Sequence, residues 1–500
     1  MPVFEIALTD IPEETPFKPD DADVLLVRRG ENVTALAHTC PHLGLPLSKG
    51  VLDGDTLVCA FHHACFDVHT GRQKQPPGHG DLRRYDVEVA DGRVRVTLDD
   101  ADPHPAPAHA RQGTDPRRFV IGGAGAAADA CVLTLREEGF EGVIEMIAPG
   151  AEPPYDRTML SKGVLTGDKA VDALTLTDTD SLAARDIALI DGRVAGIEPA
   201  RVLLESGGQH AYDALLLAPG GEAIRPPLPG IDLPGTHALR STADAAALAD
   251  AAGSARRAVF VGGGFIGMEG ALSLAKRGLD VTVVLREEVP LAGVLGEEVA
   301  RAIMAEHEAA GVRFVSGASV AAIEGDDAVE AVRIEGRDDP IPADLVVLAV
   351  GIRPATDGID KLGTDEDGGV SVAPDLSVSG LPGVFAAGDV AKVPTPFGPA
   401  RIEHWRVARQ QGRRAARAML GLEAEPADIP FFWTALARQY RYVGHAEDWD
   451  DIRIDGDPSG PFLARYIKDG RVMAAVTAGR DADLARIHLE MIAAGGPLPA

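Results

Sequence analysis

Two short stretches hold the residues most suited to chemistry: Cys40 with His42, and Cys59 with His62. Reduced to ligands they read C-x-H and C-x-x-H, so each stretch offers one thiolate and one imidazole. A 2Fe–2S cluster with two Cys on one iron and two His on the other needs that set. Neutral imidazoles in place of anionic thiolates take negative charge off the cluster. Its potential then rises from about −400 mV to between about −150 and +300 mV. The alternative is a Cys₂His₂ structural zinc site. Zinc fingers space like ligands together, as C-x₂₋₄-C and H-x₃₋₅-H, whereas here Cys and His alternate.

This alternation, with Gly44 after the first pair and Thr70-Gly71 closing the second stretch, resembles the Rieske family. The resemblance implies a small β-sandwich with the cluster at one tip. Two positions depart from the family's second box, Cys-Pro-x-His-Gly: Ala60 stands for Pro and His63 for Gly, so His62 is assigned as ligand by spacing. Respiratory-complex members carry two further cysteines that form a disulfide. Leu45 and Phe61 occupy those places, which implies the simpler, ferredoxin-like kind. Cys65 reads as a small buried thiol.

Further on, a short apolar run at 119–121 leads into Gly123-x-Gly125-x-x-Ala128 and a helix through about residue 138, followed by a second strand at 142–147. This is the dinucleotide fingerprint in its permitted Gly/Ala form. Its glycines let the backbone approach a pyrophosphate at a helix N-terminus, where the dipole favours anions. The acid that should hold the adenosine ribose is expected near residue 150, where there is Gly150; Glu152 and Glu145 are the nearby carboxylates. The fingerprint recurs complete at Gly262, Gly264 and Gly267 between a strand at 258–261 and a helix, with a second strand at 281–284. Two such units imply two dinucleotides. After the last strand comes Arg286, whose guanidinium suits a 2′-phosphate and tilts the expectation towards NADPH; Glu287 and Glu288 follow it.

Tyr155, Arg157, Lys162, the strand-to-turn segments at 213–220 and 384–389, and Glu403-His404-Trp405 resemble the ferredoxin-reductase-like branch of flavin-dependent pyridine-nucleotide oxidoreductases. With the Rieske box in front, the chain resembles the Rieske-bearing, apoptosis-inducing-factor-like subfamily over nearly its whole length, including Phe431, Trp433 and the segment after them. The resemblance implies FAD, NAD(P)H and a 2Fe–2S cluster as cofactors. It places Gly388, Asp389, Arg157, His404 and Trp405 at the flavin, with Trp433 also flanking or covering it. Lys162 is implied beside the flavin N5, paired with Glu269 near the nicotinamide as the catalytic pair. The expected activity is hydride transfer from NAD(P)H to FAD, then single electrons to the Rieske centre and on to an acceptor. That acceptor could be an oxygenase, a cytochrome P450, a ferredoxin or oxygen. No cysteine lies between residues 155 and 165, which argues against disulfide reduction; Cys131 reads as packing. An NADH/NADPH oxidase or redox sensor working through a changed dimer, and a non-enzymatic interaction protein, are the alternatives.

These residues need several domains to hold them, and 500 residues suffice for three or four. The expected architecture is an all-β Rieske sandwich (1–100), a Pro/Ala-rich linker (101–116), a Rossmann-like FAD-binding domain (117–240 and 354–424), an NAD(P)-binding domain (241–353) and a C-terminal α+β domain (425–500). β-rich runs at 24–27, 33–37, 56–60, 85–89 and 94–98 build the sandwich. Asp91-Gly92 reads as a hairpin turn. If extended, the linker could reach roughly 50 Å. A last helix is expected at about 482–493. Formal net charge is −28, which argues against nucleic-acid or anionic-membrane partners. No apolar run is long enough for a membrane span and no secretory signal is visible at the N-terminus. The cytoplasm is the expected compartment, and a homodimer is possible.

Overall fold

The computed structural model describes residues 2–98, 115–423 and 429–500. The linker expectation at 101–116 falls outside them, apart from residues 115 and 116.

The N-terminal region is two antiparallel sheets. One runs in the order Val3–Ala7, Arg93–Thr97, Arg84–Ala90, Asn32–Ala37, Val24–Arg29. Val24, Leu26, Ala35, Val94 and Val96 alternate inward to form its core, as period-2 side chains on a half-buried sheet must. Ala90 pairs with Arg93 across Asp91-Gly92, whose φ angles of 50° and 71° are both left-handed. A two-residue type I′ hairpin requires that backbone, and Asp-Gly supplies it. The second sheet, Val51–Asp53, Thr56–Val58, Cys65–Asp67 and Gln73–Gln75, consists of three-residue strands. All but Thr56–Val58 escape the sequence reading, because three residues carry no readable alternation. Thr56–Val58 also ends short of the expected residue 60, because Cys59 turns into the loop that carries the second box.

Two parallel sheets follow. The first is ordered Ile187–Asp191, Val143–Ala148, Arg118–Gly122, Ala214–Leu217, Val384–Ala386. Its strands come from both sides of the second unit, so the chain leaves this domain and returns. Helix Ala126–Glu137 packs against helix Trp405–Met419. Their approach is so close that a Cβ on Gly412 would sit 2.0 Å from the Ala127 carbonyl oxygen. The second sheet is ordered Thr236–Ala238, Leu345–Leu348, Arg257–Val261, Asp280–Val284, Arg313–Val315. Strand Thr236–Ala238, which a division at residue 241 leaves with the first unit, is hydrogen-bonded into this second one.

The C-terminal region is an antiparallel sheet in the order Phe431–Ala435, Gln439–Gly444, Arg471–Ala478, Phe462–Lys468, Asp451–Gly456, covered by helix Asp481–Ala494. The architecture is the expected one: a β-sandwich, two Rossmann-like sheets and a C-terminal α+β layer. Among the described residues no helix is long and apolar enough to cross a membrane.

Candidate active site

The two Rieske boxes sit on facing loops. In the first, Gly44 N–H donates to Cys40 O and Cys40 N–H to Leu45 O, each at 2.9 Å. In the second, His63 N–H donates to Cys59 O and Cys59 N–H to Ala64 O, also at 2.9 Å. These loops bring His42 and His62 together, Nδ1 to Nδ1 at 3.1 Å, with 7% and 3% of their surfaces exposed. Burial pushes His42 down to about 3, with His79 and Arg409 adding to it, and pushes His62 well below the usual histidine range. Both rings are therefore neutral, the form that ligates a metal.

Cys40 and Cys59 are buried and share a hydrogen bond. That bond pulls Cys59 down, and the backbone N–H groups of Phe61 and His62 add to it; Cys40, as the partner and by burial, is pushed up. The donors thus come as a histidine pair and a cysteine pair. Among the described residues no three His, Cys, Asp or Glu side chains gather as one ion's shell. Paired donors fit a two-iron cluster with His on one iron and Cys on the other better than a single tetrahedral zinc. His63 instead meets His488 and stacks on the Phe431 ring. Cys65 is buried beside Val58 and Ala485, and Cys131 is buried near Met419.

A cavity of about 700 Å³ opens at the C-terminal ends of the first parallel sheet. Gly123, Gly125, Arg157, Gly388, Asp389 and Trp405 line it. Gly123 has φ +135°, and a Cβ there would lie 2.1 Å from the Ala218 carbonyl oxygen. Glycine is obligatory at that approach. Helix Ala126–Glu137 starts at Gly125 with no side-chain cap, so its first N–H groups are left for an anion. This cradle fits a dinucleotide pyrophosphate. Asp389 is held by Arg240 at 2.6 Å, while Arg157 donates to the Arg240 carbonyl and lies over the Tyr155 ring. Ala128 is buried in the helix behind the wall, and His404 is half-buried against the Phe432 ring and is not among the cavity-lining residues. Of the two nearby carboxylates Glu152 lines the cavity, whereas Glu145 is tied to Arg118 and His210.

Lys162 and Glu269 meet as an ion pair at 2.8 Å, 17% and 3% exposed. Glu269 also accepts from Ser161 Oγ at 2.5 Å, Thr434 Oγ1 at 2.6 Å and Ala435 N–H at 3.1 Å. The second fingerprint lies between its strand and helix Phe265–Lys276, with Gly262 at φ +107° and Gly264 as N-cap. A Cβ on Gly267 would lie 2.5 Å from the Gly262 carbonyl oxygen. Arg286 is exposed just past strand Asp280–Val284.

Strand Phe431–Ala435 joins these parts. Successive side chains point to opposite faces. Trp433 packs on the His62 and His42 rings at 4.7 and 5.3 Å, and Phe431 stacks on His63. On the other face, Phe432 packs on His404 and Phe265, and Thr434 reaches Glu269. Trp433 therefore meets the histidine pair and is not among the residues that line the cavity; Trp405 is. The sequence reading missed Arg406, Arg441 and His488, which hold the loop around Phe61 and His63 and the Pro76 carbonyl from the C-terminal part of the chain. No local pattern marks them, because their partners are 330 to 425 residues away.

The pyridine nucleotide-disulphide oxidoreductase family model matches residues 117–412, and the Rieske [2Fe-2S] domain model matches residues 3–86. Apoptosis-inducing factor 3 of Mus musculus is 32% identical over 495 residues, covering 94% of this chain and 80% of the relative. The biphenyl dioxygenase system ferredoxin–NAD(+) reductase component of Paraburkholderia xenovorans is 35% identical over 364 residues, covering 71% of this chain and 88% of the relative. Among solved structures, the covalent putidaredoxin reductase–putidaredoxin complex superposes with a TM-score of 0.72 at 28% identity, over 77% of this chain and 94% of that one.

Proposed function

Because the chain belongs to the pyridine nucleotide-disulphide oxidoreductase family and is an FAD-dependent NAD(P)H reductase with a Rieske domain, we propose that it serves as its own first electron acceptor. Electrons taken from NAD(P)H on the reductase side go to the chain's own Rieske centre, and from there to a ferredoxin- or oxygenase-type redox partner. Bound flavin exchanges two electrons with a nicotinamide and single electrons with an iron–sulfur cluster.

The observation that carries this reading is strand Phe431–Ala435, which touches the Glu269–Lys162 pair through Thr434 and the His42–His62 pair through Trp433. In this reading Gly123, Gly125 and the uncapped helix start hold the pyrophosphate of FAD, and Glu152 holds its adenosine ribose. Asp389 faces the ribityl side, and Arg157 and Trp405 complete the wall. Lys162, fixed by Glu269, holds a positive charge at the flavin ring. Gly262, Gly264 and Gly267 cradle the nicotinamide dinucleotide, with Arg286 favouring a 2′-phosphate. Cys40, Cys59, His42 and His62 would hold the cluster through two thiolates and two imidazoles. The formal net charge of −28 and the use of NAD(P)H as electron donor fit a cytoplasmic setting.

Replacing Trp433 with Leu tests the bridge. Bleaching of the flavin by NADPH or NADH should keep its rate, while reduction of the cluster slows. Equal slowing of both steps, or of neither, contradicts the reading.

A further inference from the structure

His63 stands where the Rieske box usually has Gly, and its backbone keeps the glycine conformation, with φ +56°. A residue with a Cβ pays a conformational penalty there, so its ring should have a use. That ring is fully buried and lies over Phe431 at 3.9 Å, tilted by 24°. Its Nδ1 is 2.6 Å from the Nδ1 of His488, on the helix that covers the C-terminal sheet. One ring donates and the other accepts, so the contact needs complementary tautomers.

The backbone of the same region is held from the reductase side by two buried arginines. Arg441 Nε donates to Phe61 O at 2.6 Å and is itself anchored by Asp481 at 2.7 Å. Arg406, next to the cavity-lining Trp405, donates to His63 O at 3.3 Å and to Pro76 O at 3.0 Å. A guanidinium presents a rigid fork of N–H donors and suits this carbonyl clamping better than an ammonium would.

We propose that the reductase carries a docking site for its own Rieske domain, with His63 as the residue that fits it and His488, Arg406 and Arg441 as the groups that receive it. The site holds the loop bearing Cys59 and His62, so it fixes how the histidine pair lies against Trp433. His63 is a positioning residue: it acts on electron transfer through the placement of His62, its neighbour in the chain. The inference rests on the proposed path from the flavin side to the Rieske centre.

The test uses the full-length holoprotein and two variants. His63→Gly relieves the backbone and restores the usual box; His488→Leu leaves the box untouched and removes the receiving ring. Each is compared with the parent protein in three ways: EPR signal of the reduced cluster, stopped-flow rates of flavin and then cluster reduction, and radius of gyration by small-angle scattering. Both variants should keep the EPR signal and the flavin rate. Both should show a larger radius of gyration and a cluster reduction slowed about tenfold or more, as small misplacements of reacting groups commonly do. Parent-like radius and cluster rate in both variants overturn the docking site. Loss of the Rieske signal in His63→Gly also overturns it, since His63 would then be a ligand. If the parent protein itself fails to reduce its cluster, the electron path fails, and the scattering comparison still decides the dock.

Discussion

Replacing Glu269 with Gln should separate the Lys162–Glu269 pair from its surroundings. Glu269 Oε1 accepts from Thr434 and Ala435, and Oε2 from Ser161 and Lys162. A glutamine can keep its carbonyl oxygen on Thr434 and Ala435, and the Ser161 hydroxyl can turn to accept from the new amide. Only Lys162 is left facing a donor, with Thr158 O at 2.7 Å as its remaining partner. Breaking a buried ion pair by removing one partner costs about 3–5 kcal/mol. Lys162 is still 17% exposed, so water recovers part of that, and a loss of about 2–3 kcal/mol is expected. If the pair positions the Lys162 charge for hydride transfer, the same loss lowers the rate of flavin reduction by about 30- to 150-fold. Anaerobic stopped-flow at the flavin band measures the rate, and urea unfolding followed by flavin release measures the stability. Lys162→Met should give a similar rate loss, and the double variant should lose much less than the sum, because the two act as one unit. A rate within twofold of the parent in both single variants would refute the reasoning, whatever their stability.

Gly123→Ala should abolish flavin retention, since the added Cβ meets the Ala218 carbonyl at 2.1 Å and φ is +135°; the ratio of flavin absorbance to protein checks it, and the cluster's EPR signal should survive. His404 is half-buried with its Nδ1 enclosed, and this loss of solvent lowers it from 6.5 to about 3, with His445 adding to this. Between those values the unfolded chain binds one proton more than the folded one, so stability is full above pH about 6.5 and falls as the pH drops, by about 1.4 kcal/mol per pH unit. His404→Phe should flatten this slope by that amount, read from denaturant midpoints between pH about 4 and 6; an unchanged slope contradicts it. Arg286→Ala should lower the efficiency with NADPH relative to NADH, and an unchanged ratio removes Arg286 from the 2′-phosphate site.

What was legible in the sequence was local. Asp91-Gly92 announces its hairpin because the turn needs two left-handed residues, and Gly123 and Gly262 announce their turns because a backbone oxygen lies where a side chain would begin. The two cysteine–histidine pairs are legible for the same reason, each lying in one short loop. The reading was poorer where a side chain's direction depends on packing. Trp433 and Trp405 both looked like flavin neighbours, but strand alternation turns Trp433 towards the histidine pair. His404 is adjacent to a cavity residue and yet packs beneath Phe432. Glu152 and Glu145 both lie near the expected ribose position, and the fold separates them: Glu152 lines the cavity, whereas Glu145 is paired with Arg118 and His210. Contacts such as His63 with His488, or Arg441 with the Phe61 carbonyl, join residues more than 370 positions apart. They leave no trace in either local sequence.

In the proposed function, one chain carries electrons from a nicotinamide to its own Rieske centre. The most direct measurement mixes the purified holoprotein anaerobically with NADPH, and separately with NADH, recording flavin absorbance and the cluster's EPR signal on the same time base. Flavin bleaching followed by a reduced Rieske signal is the predicted result. Flavin bleaching beside a present, oxidised cluster that stays silent would contradict the claim and favour an oxidase or a redox sensor.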